Sequence, residues 1–474
     1  MANKFYITTT LPYVNADPHI GFAMEIIQAD VIARAKRQQG FEVFFNTGTD
    51  EHGIKIYRKA LEAGMEPKAY CDMYAPKFND LKMALNLSYD NFIRTTDEHH
   101  VKAAQEFWLR CQKNGDIYKK NYKVKYCVGC ELEKTDSELE NEKCPVHPNL
   151  QIEVIEEENY FFAYSKYQKP LLDFYEAHPG FVIPQTKFNE IIEFTKRGLQ
   201  DFSVSRLKEK MPWGVSVPGD EKHVMYVGTD ALVSYISALN WPDDEKKFTE
   251  FWPGMQVAGK DNLRQQSSMW QAMLLSAGLP SSSQIFIHGH IMVDGQKMSK
   301  SLGNVVDPFE VVKKYGVDAV RYYLLREITP TEDGDFSYEK FEQRYNSDLA
   351  SGVGNLLSRI ITLAGKDNFA QQKPTAKIKE AVEQAKKECE KHLDDFKFNE
   401  ALKSIWELIT FCDKYINEEK PWQAGENSSV VVSDCLFALS EISDLLSPFL
   451  PETSEKMKKV LETKKSEALF PRLL

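Results

Sequence analysis

Residues 5–22 read FYITTTLPYVNADPHIGF, a stretch that begins as a strand and ends at the start of a helix. Positions 5–10 are rich in β-branched and aromatic side chains, which suit a packed pleated surface, and Leu11-Pro12-Tyr13-Val14-Asn15-Ala16-Asp17-Pro18 is loop chemistry. From His19 to near Gln38 the apolar residues Ile20, Ala23, Met24, Ile27, Val31, Ile32 and Ala35 recur at helical spacing, and Gly40 closes the run. Positions 41–45 read as a second strand. Strand, helix and strand within about forty residues make a βαβ unit, which predicts an α/β fold on a parallel sheet with crossover helices.

Working outward, residues 116–158 change character. Short β-like pieces, Gly129, Pro145, Pro148 and three clustered cysteines replace the helical periodicity, as expected of an insertion. Strand signals resume at HVMYV, 223–227, and at IFIHGHIMV, 285–293. Beyond about Tyr338, stretches such as 353–364 and 401–415 are amphipathic at helical spacing with almost no strand signal between them, which predicts a helical bundle. The reading places two halves of the sheet domain at 1–115 and 223–296, the insertion at 116–222, a linking region at 297–345 and the bundle at 346–474.

A chain of 474 residues exceeds one hydrophobic core, and its hydrophobic and charged fractions are those of folded globular proteins. The formal charge of −11 disfavours general affinity for a phosphate backbone, so a nucleic-acid partner would need local basic surfaces. Lys297, Lys300, Lys313, Lys314, Arg321, Arg326, Arg344 and Arg359 are the candidates. No secretory signal opens the sequence and no apolar run suits a bilayer, so no membrane association is expected. Cys71, Cys111, Cys389, Cys412 and Cys435 stand apart, unlike a secreted disulfide framework, and a reducing cytoplasm fits.

Three segments carry chemistry. Pro18-His19-Ile20-Gly21 sits where a loop becomes a helix, where unpaired N–H groups favour phosphate; by itself the pattern also suits an ordinary helix start. Gly295-Gln296-Lys297-Met298-Ser299-Lys300-Ser301 places two lysines among small hydroxyl residues, a loop able to bring cations to a triphosphate, or a plain solvated loop. Cys127-x2-Cys130-x13-Cys144-x2-His147 has two close ligand pairs that can converge on zinc, the alternative being reduced thiols without metal.

Together the first two segments resemble the HIGH and KMSKS signatures of class I aminoacyl-tRNA synthetases, the second letter for letter. Leu11-Pro12-Tyr13, Gly48-Thr49-Asp50-Glu51-His52-Gly53, Gly259-Lys260-Asp261, Asn355 to Arg359 and Pro421-Trp422 narrow the resemblance to the methionyl-tRNA synthetase family, over essentially the whole chain. It implies a class I Rossmann-like catalytic domain, a zinc knuckle in the insertion, a stem-contact region at 297–345 and an all-α anticodon-binding bundle. His19, Lys297 and Lys300 would be catalytic, and with Gly21, Gly259, Asp261 and Ser299 would bind ATP and its Mg2+. Leu11, Tyr13, Asp50, Gly228, Ala231, Tyr235 and Gln266 would bind L-methionine, Asp50 taking its ammonium. Asn355, Arg359 and Trp422 would read the anticodon of tRNA(Met). Cys127, Cys130, Cys144 and His147 would hold one structural Zn2+.

The sequence departs from the family pattern at Phe22, where HIGH ends in His, at Gly228, where a Trp is usual, and at Gln265-Gln266, where Phe-His is usual. Either the pocket repacks around methionine or it admits a larger or more polar side chain. The expectation is methionine activation with poorer discrimination against larger side chains. The alternatives are a catalytically impaired tRNA-binding paralogue and a synthetase of altered amino-acid specificity, such as one for Leu, Ile or Cys. Because the sequence ends shortly after the bundle, a monomer is expected.

Overall fold

A computed structural model of the chain describes residues 3–130, 132–134, 136–298, 303–366, 369–423, 427–465 and 468–473. It divides into two compact units, one of Met1–Asp17, Phe41–Asp80 and Tyr89–Ile287, the other of Pro18–Gly40, Leu81–Ser88 and His288–Leu474.

The first unit is organised by a six-stranded sheet in the order Asn91–Arg94, Glu42–Thr49, Lys4–Thr9, Met255–Gly259, Gln284–His288, Val182–Ile183. Lys4–Thr9 pairs in parallel with Glu42–Thr49 and with Met255–Gly259, as the βαβ reading requires. Ile7, Phe45, Val257 and Ile285 are fully buried, because a parallel sheet is covered on both faces. An aromatic core fills one side, with Phe107 stacked on Trp270 at 5.3 Å between ring centroids.

The insertion is more regular than its sequence suggests. Ile117–Cys127 and Glu153–Phe162 form one long antiparallel pair, extended by Leu132–Lys134 and Phe202–Ser203. Cross-strand Lys119–Glu158 and Lys123–Glu156 pairs line its solvated face, so charge interrupts the apolar alternation that marks a strand. HVMYV also resolves differently. The strand Asp220–Met225 belongs to a small antiparallel sheet with Ser205–Leu207 and Ser216–Val217, and Val227 already starts a helix. IFIHGHIMV is two strands, Gln284–His288 and Ile291–Val293. They part at Gly289, where a Cβ would lie 1.9 Å from the Glu332 carbonyl oxygen.

In the second unit, the helix Ile20–Gln38 is anchored by a buried polar cluster. Arg321 is wholly buried: its Nε donates to Phe449 O at 2.7 Å, Nη2 to Pro448 O at 3.0 Å and Nη1 to Leu85 O at 3.2 Å, while Nη2 pairs with Asp30 at 2.8 Å. Burial opposes the Asp30 carboxylate, but Arg321, Arg34 and Ser88 outweigh it and hold its pKa below the ordinary value. Arg321 is therefore not a basic surface, as its charge alone suggests. Arg344 is engaged by Glu327 and Asp348, and Lys314 by Glu342. The C-terminal part is helical as expected: Asn355–Ala364, Ala376–Asp394, Phe398–Glu419, Ser428–Leu446 and Pro451–Thr463. Their shared stripe includes Leu356, Ile360, Val382, Ile405, Leu439 and Ile442. No helix among the described residues is long and apolar enough to cross a membrane.

Candidate functional site

Two adjacent parallel strands deliver the first group of candidate residues. The chain leaves Lys4–Thr9 toward Leu11 and Tyr13, and leaves Glu42–Thr49 at Asp50. Tyr13 and Asp50 form an isolated parallel bridge, with Asp50 N donating to Pro12 O at 2.9 Å and Val14 N to Asp50 O at 3.4 Å. The crevice beyond the carboxyl ends of such strands is where open α/β sheets bind ligands. Asp50 is buried, which strengthens its attraction for a cation. Neighbouring Glu51 is committed elsewhere, accepting from Arg94 Nε at 2.6 Å and Nη2 at 2.9 Å. Gly48 allows this packing, since a Cβ there would lie 1.8 Å from the Ile93 carbonyl oxygen.

The helix Val227–Ser237 carries Gly228, Ala231 and Tyr235. Gln266 Nε2 donates to the Tyr235 hydroxyl at 2.6 Å, so two candidates spaced far apart in sequence meet, and Gln266 Oε1 is buried without a hydrogen-bond partner. A Cβ at Gly228 would meet only the Tyr226 ring, at 3.4 Å, an ordinary van der Waals contact. Gly259 ends its strand and Asp261 lies in the turn that follows.

Sequence reading missed the group that ties these walls together. Asp230 is fully buried and bonds to His52 Nδ1 at 2.5 Å and to His100 Nε2 at 2.8 Å, while His100 Nδ1 meets Ser237 Oγ at 2.9 Å. Burial alone would raise the Asp230 pKa, but the two imidazoles reverse this and bring it down to about 2. His52 lies in the family-like segment Gly48–Gly53, whereas Asp230 shows in the sequence as an acid beside the apolar run Ala231-Leu232-Val233.

In the second unit, His19 caps the helix Ile20–Gln38: its Nδ1 accepts the Gly21 N–H at 3.1 Å. With Nδ1 an acceptor, a neutral ring carries its proton on Nε2, where it can be donated to an anion. Gly21 admits this packing, because a Cβ would stand 3.0 Å from His19 Cε1 and 3.3 Å from Met298 Cε. Ile20 N donates to Val306 O at 3.0 Å, so Met298 of the lysine-rich signature and the segment after it both reach the helix start. Gln296–Lys297 pairs with Ile291–Val293, whereas Ser299 and Lys300 lie outside the described residues.

Cys127, Cys130, Cys144 and His147 converge, their ligand atoms all within 4.8 Å of one another. Cys130 Sγ lies 3.4 Å from Cys144 Sγ and 3.2 Å from His147 Nδ1, and Cys127 Sγ 3.9 Å from His147 Nδ1. Gly129 makes room: a Cβ would fall 2.4 Å from His147 Cγ. Burial disfavours the Cys144 thiolate, but hydrogen bonds from Cys130 and from the His147 and Val146 backbone outweigh it and lower the pKa. The group could hold a metal ion.

On the helix Asn355–Ala364, Asn355 is exposed, and Arg359 donates to Asp413 Oδ1 at 3.0 Å and Asn417 Oδ1 at 2.8 Å. Trp422 is 44% exposed, unlike a core tryptophan.

Comparison with known proteins agrees along the whole chain. Residues 5–149 and 130–361 match the family described as tRNA synthetases class I (M), and residues 376–472 match the anticodon-binding domain of tRNA ligase. The chain is 44% identical to the methionine–tRNA ligase of Thermotoga maritima, over 96% of this chain and 74% of that protein. It is 39% identical to that of Brucella suis, over 99% of this chain and 94% of the relative. The structure resembles that of Mycobacterium tuberculosis methionyl-tRNA synthetase in complex with methionyl-adenylate. The TM-score is 0.92 at 36% identity, covering 97% of this chain and 94% of the other.

Proposed function

Since the chain belongs to the methionine–tRNA ligase family of class I tRNA synthetases, we infer that it joins L-methionine to tRNA(Met) at the expense of ATP, through methionyl-adenylate, releasing pyrophosphate and AMP. The observation that carries this reading is the near full-length likeness to a synthetase structure holding methionyl-adenylate. Neither a silent tRNA-binding paralogue nor a synthetase for another amino acid finds support among these relatives.

The chemistry needs no protein nucleophile. The methionine carboxylate attacks the α-phosphorus, and a terminal tRNA hydroxyl then attacks the adenylate carbonyl, so positioning and charge stabilisation supply the rate. Asp50 would take the ammonium, with Leu11, Tyr13, Gly228, Ala231, Tyr235 and Gln266 around the side chain. His19, Gly21, Gly259, Asp261, Lys297, Ser299 and Lys300 would serve ATP, whose Mg2+ neutralises phosphate charge when bound. The donor set and spacing of Cys127, Cys130, Cys144 and His147 fit one structural Zn2+, which would pin the insertion. Asn355, Arg359 and Trp422 would read the anticodon.

On this reading residues 1–115 and 223–296 make the catalytic domain, 116–222 the zinc-bearing insertion, 297–345 the KMSKS and stem-contact region, and 346–474 the anticodon domain. The protein would act as a cytoplasmic monomer, which light scattering on the purified chain checks for the oligomeric state. ATP–pyrophosphate exchange over a panel of amino acids tests the function. Exchange driven chiefly by methionine is expected; exchange with no amino acid would overturn the reading.

A further inference from the structure

Gln265–Met269 form a π turn that leads into the helix Trp270–Ser276, with Trp270 N donating to Gln265 O, five residues back. A single π turn of this kind is rare and is frequently found at functional sites. It carries Gln265-Gln266, where the chain departs from the Phe-His pair of its family. A glutamine has more rotamer freedom to lose than an imidazole, so holding Gln266 in one direction needs fixed partners. Its side chain meets the Tyr235 hydroxyl. Its backbone is held as well: Gln271 Nε2 donates to Gln266 O at 2.8 Å. Gln271 is wholly buried, and its amide is fixed from the other side. Ser282 N, which can only donate, donates to Gln271 Oε1 at 2.9 Å, and this leaves Nε2 to face Gln266 O and, at 3.1 Å, Ser282 Oγ. Ser282 Oγ in turn donates to Gln256 Oε1 at 3.0 Å, on the strand Met255–Gly259. A chain of buried amide and hydroxyl groups thus runs from the central sheet to the carbonyl of Gln266. Such bonds reinforce one another, and leaving one unmade is unfavourable, so the chain favours a single arrangement.

We propose that Gln271 is a positioning residue for amino-acid selection, an inference that rests on the reading of Gln266 as an amino-acid-binding residue. It acts through the Gln266 carbonyl, holding the π turn, and with it the Gln266 side chain, in the direction that meets Tyr235. Gln271 takes no part in the chemistry of either step.

The test is ATP–pyrophosphate exchange kinetics with Gln271→Met, which keeps the side-chain length and loses both hydrogen-bonding functions, alone and combined with Gln266→Met. Gln271→Met should raise KM for methionine roughly 3- to 10-fold, leave kcat and KM for ATP within about two-fold, and add less than about 1.5-fold in the Gln266→Met background. Gln271→Asn, which keeps a buried amide but shortens its reach, should show the same pattern. Ser282→Ala is the structural control. It weakens the same buried chain but keeps the backbone N–H at that position and the bond from Gln271 to Gln266, so it should lower the thermal midpoint and leave KM for methionine within about 1.5-fold. The assignment is overturned if the Gln271 variants leave KM for methionine unchanged while Gln266→Met raises it, if they raise it equally in both backgrounds, or if KM for methionine and for ATP rise together. Gln266 keeps its role in each of those cases. An unchanged KM in Gln266→Met itself removes the underlying reading, and the role of Gln271 with it.

Discussion

Replacing Cys144 by serine should empty the cysteine–histidine cluster. Zinc–sulfur bonds of about 2.3 Å and zinc–nitrogen bonds of about 2.0–2.1 Å on a tetrahedron set donor separations of roughly 3.8 Å between sulfurs and 3.5 Å from sulfur to nitrogen. The observed separations of 3.4 Å for Cys130–Cys144, 3.2 Å for Cys130–His147 and 3.9 Å for Cys127–His147 lie within a few tenths of an ångström of those edges. All four ligand atoms lie within 4.8 Å of one another, so an ion draws them inward by about an ångström at most, with Cys127 and Cys144 buried and Cys130 and His147 half-buried. Structural zinc contributes about 10–16 kcal/mol of apparent binding free energy near neutral pH, far more than the knuckle's small apolar content supplies. The natural chain should carry about one zinc by elemental analysis, and cobalt substitution should give tetrahedral absorption bands. Cys144→Ser should abolish both and make residues 128–150 sensitive to protease. Pyrophosphate exchange should survive, because four protein ligands leave no open position on the metal. A purified chain without metal whose four ligands do not bind cobalt, or a Cys144→Ser variant that keeps a full equivalent of zinc, would refute the reasoning.

Gly228→Trp should place an indole beside the Tyr226 ring and narrow amino-acid selectivity in pyrophosphate exchange; identical profiles for the two proteins would dismiss the idea of a wide pocket. Arg359→Ala should lower kcat/KM for tRNA roughly 10- to 100-fold while exchange is unchanged, and an equal fall in exchange would point to misfolding rather than lost recognition. Asp230 has its pKa depressed to about 2 from 3.8, so its contribution to stability is complete above about pH 4 and fades as pH falls toward about 2. The urea midpoint difference between the natural chain and Asp230→Asn should accordingly shrink from pH 6 to pH 3, and a difference that grows would contradict the assignment. Arg321→Met leaves the buried Asp30 with Arg34 and Ser88 but without its second guanidinium, takes donors from three backbone carbonyls, and should cost about 3–5 kcal/mol, part of it regained with Asp30→Asn in the same chain; a loss under about 1 kcal/mol would show that the cluster is not stabilising.

Local pattern was enough for much of this protein. The β-branched and aromatic run at 5–10 and the 3.6-residue recurrence after His19 specify a strand and a helix whatever lies around them, and the crossover rule makes their sheet parallel. Cys127, Cys130, Cys144 and His147 are legible because metal ligands impose fixed short spacings. The long strands of the insertion were obscured because their exposed face is held by lysine–glutamate pairs, which carry no hydrophobic signal. Periodicity says which face of an element is buried, but not against what.

That partner is what the tertiary structure decided. Arg321 has the sequence appearance of a surface cation, yet carbonyl oxygens at Leu85, Pro448 and Phe449 and the Asp30 carboxylate converge on it from distant segments, and only their convergence makes its burial tolerable. Asp230 acquires its depressed pKa the same way, from His52 and His100. The sequence by itself determined elements, ligand spacings and family, because these depend on neighbours along the chain; which charges are buried, and which groups face one another, depends on contacts that exist only once the strands and helices have packed.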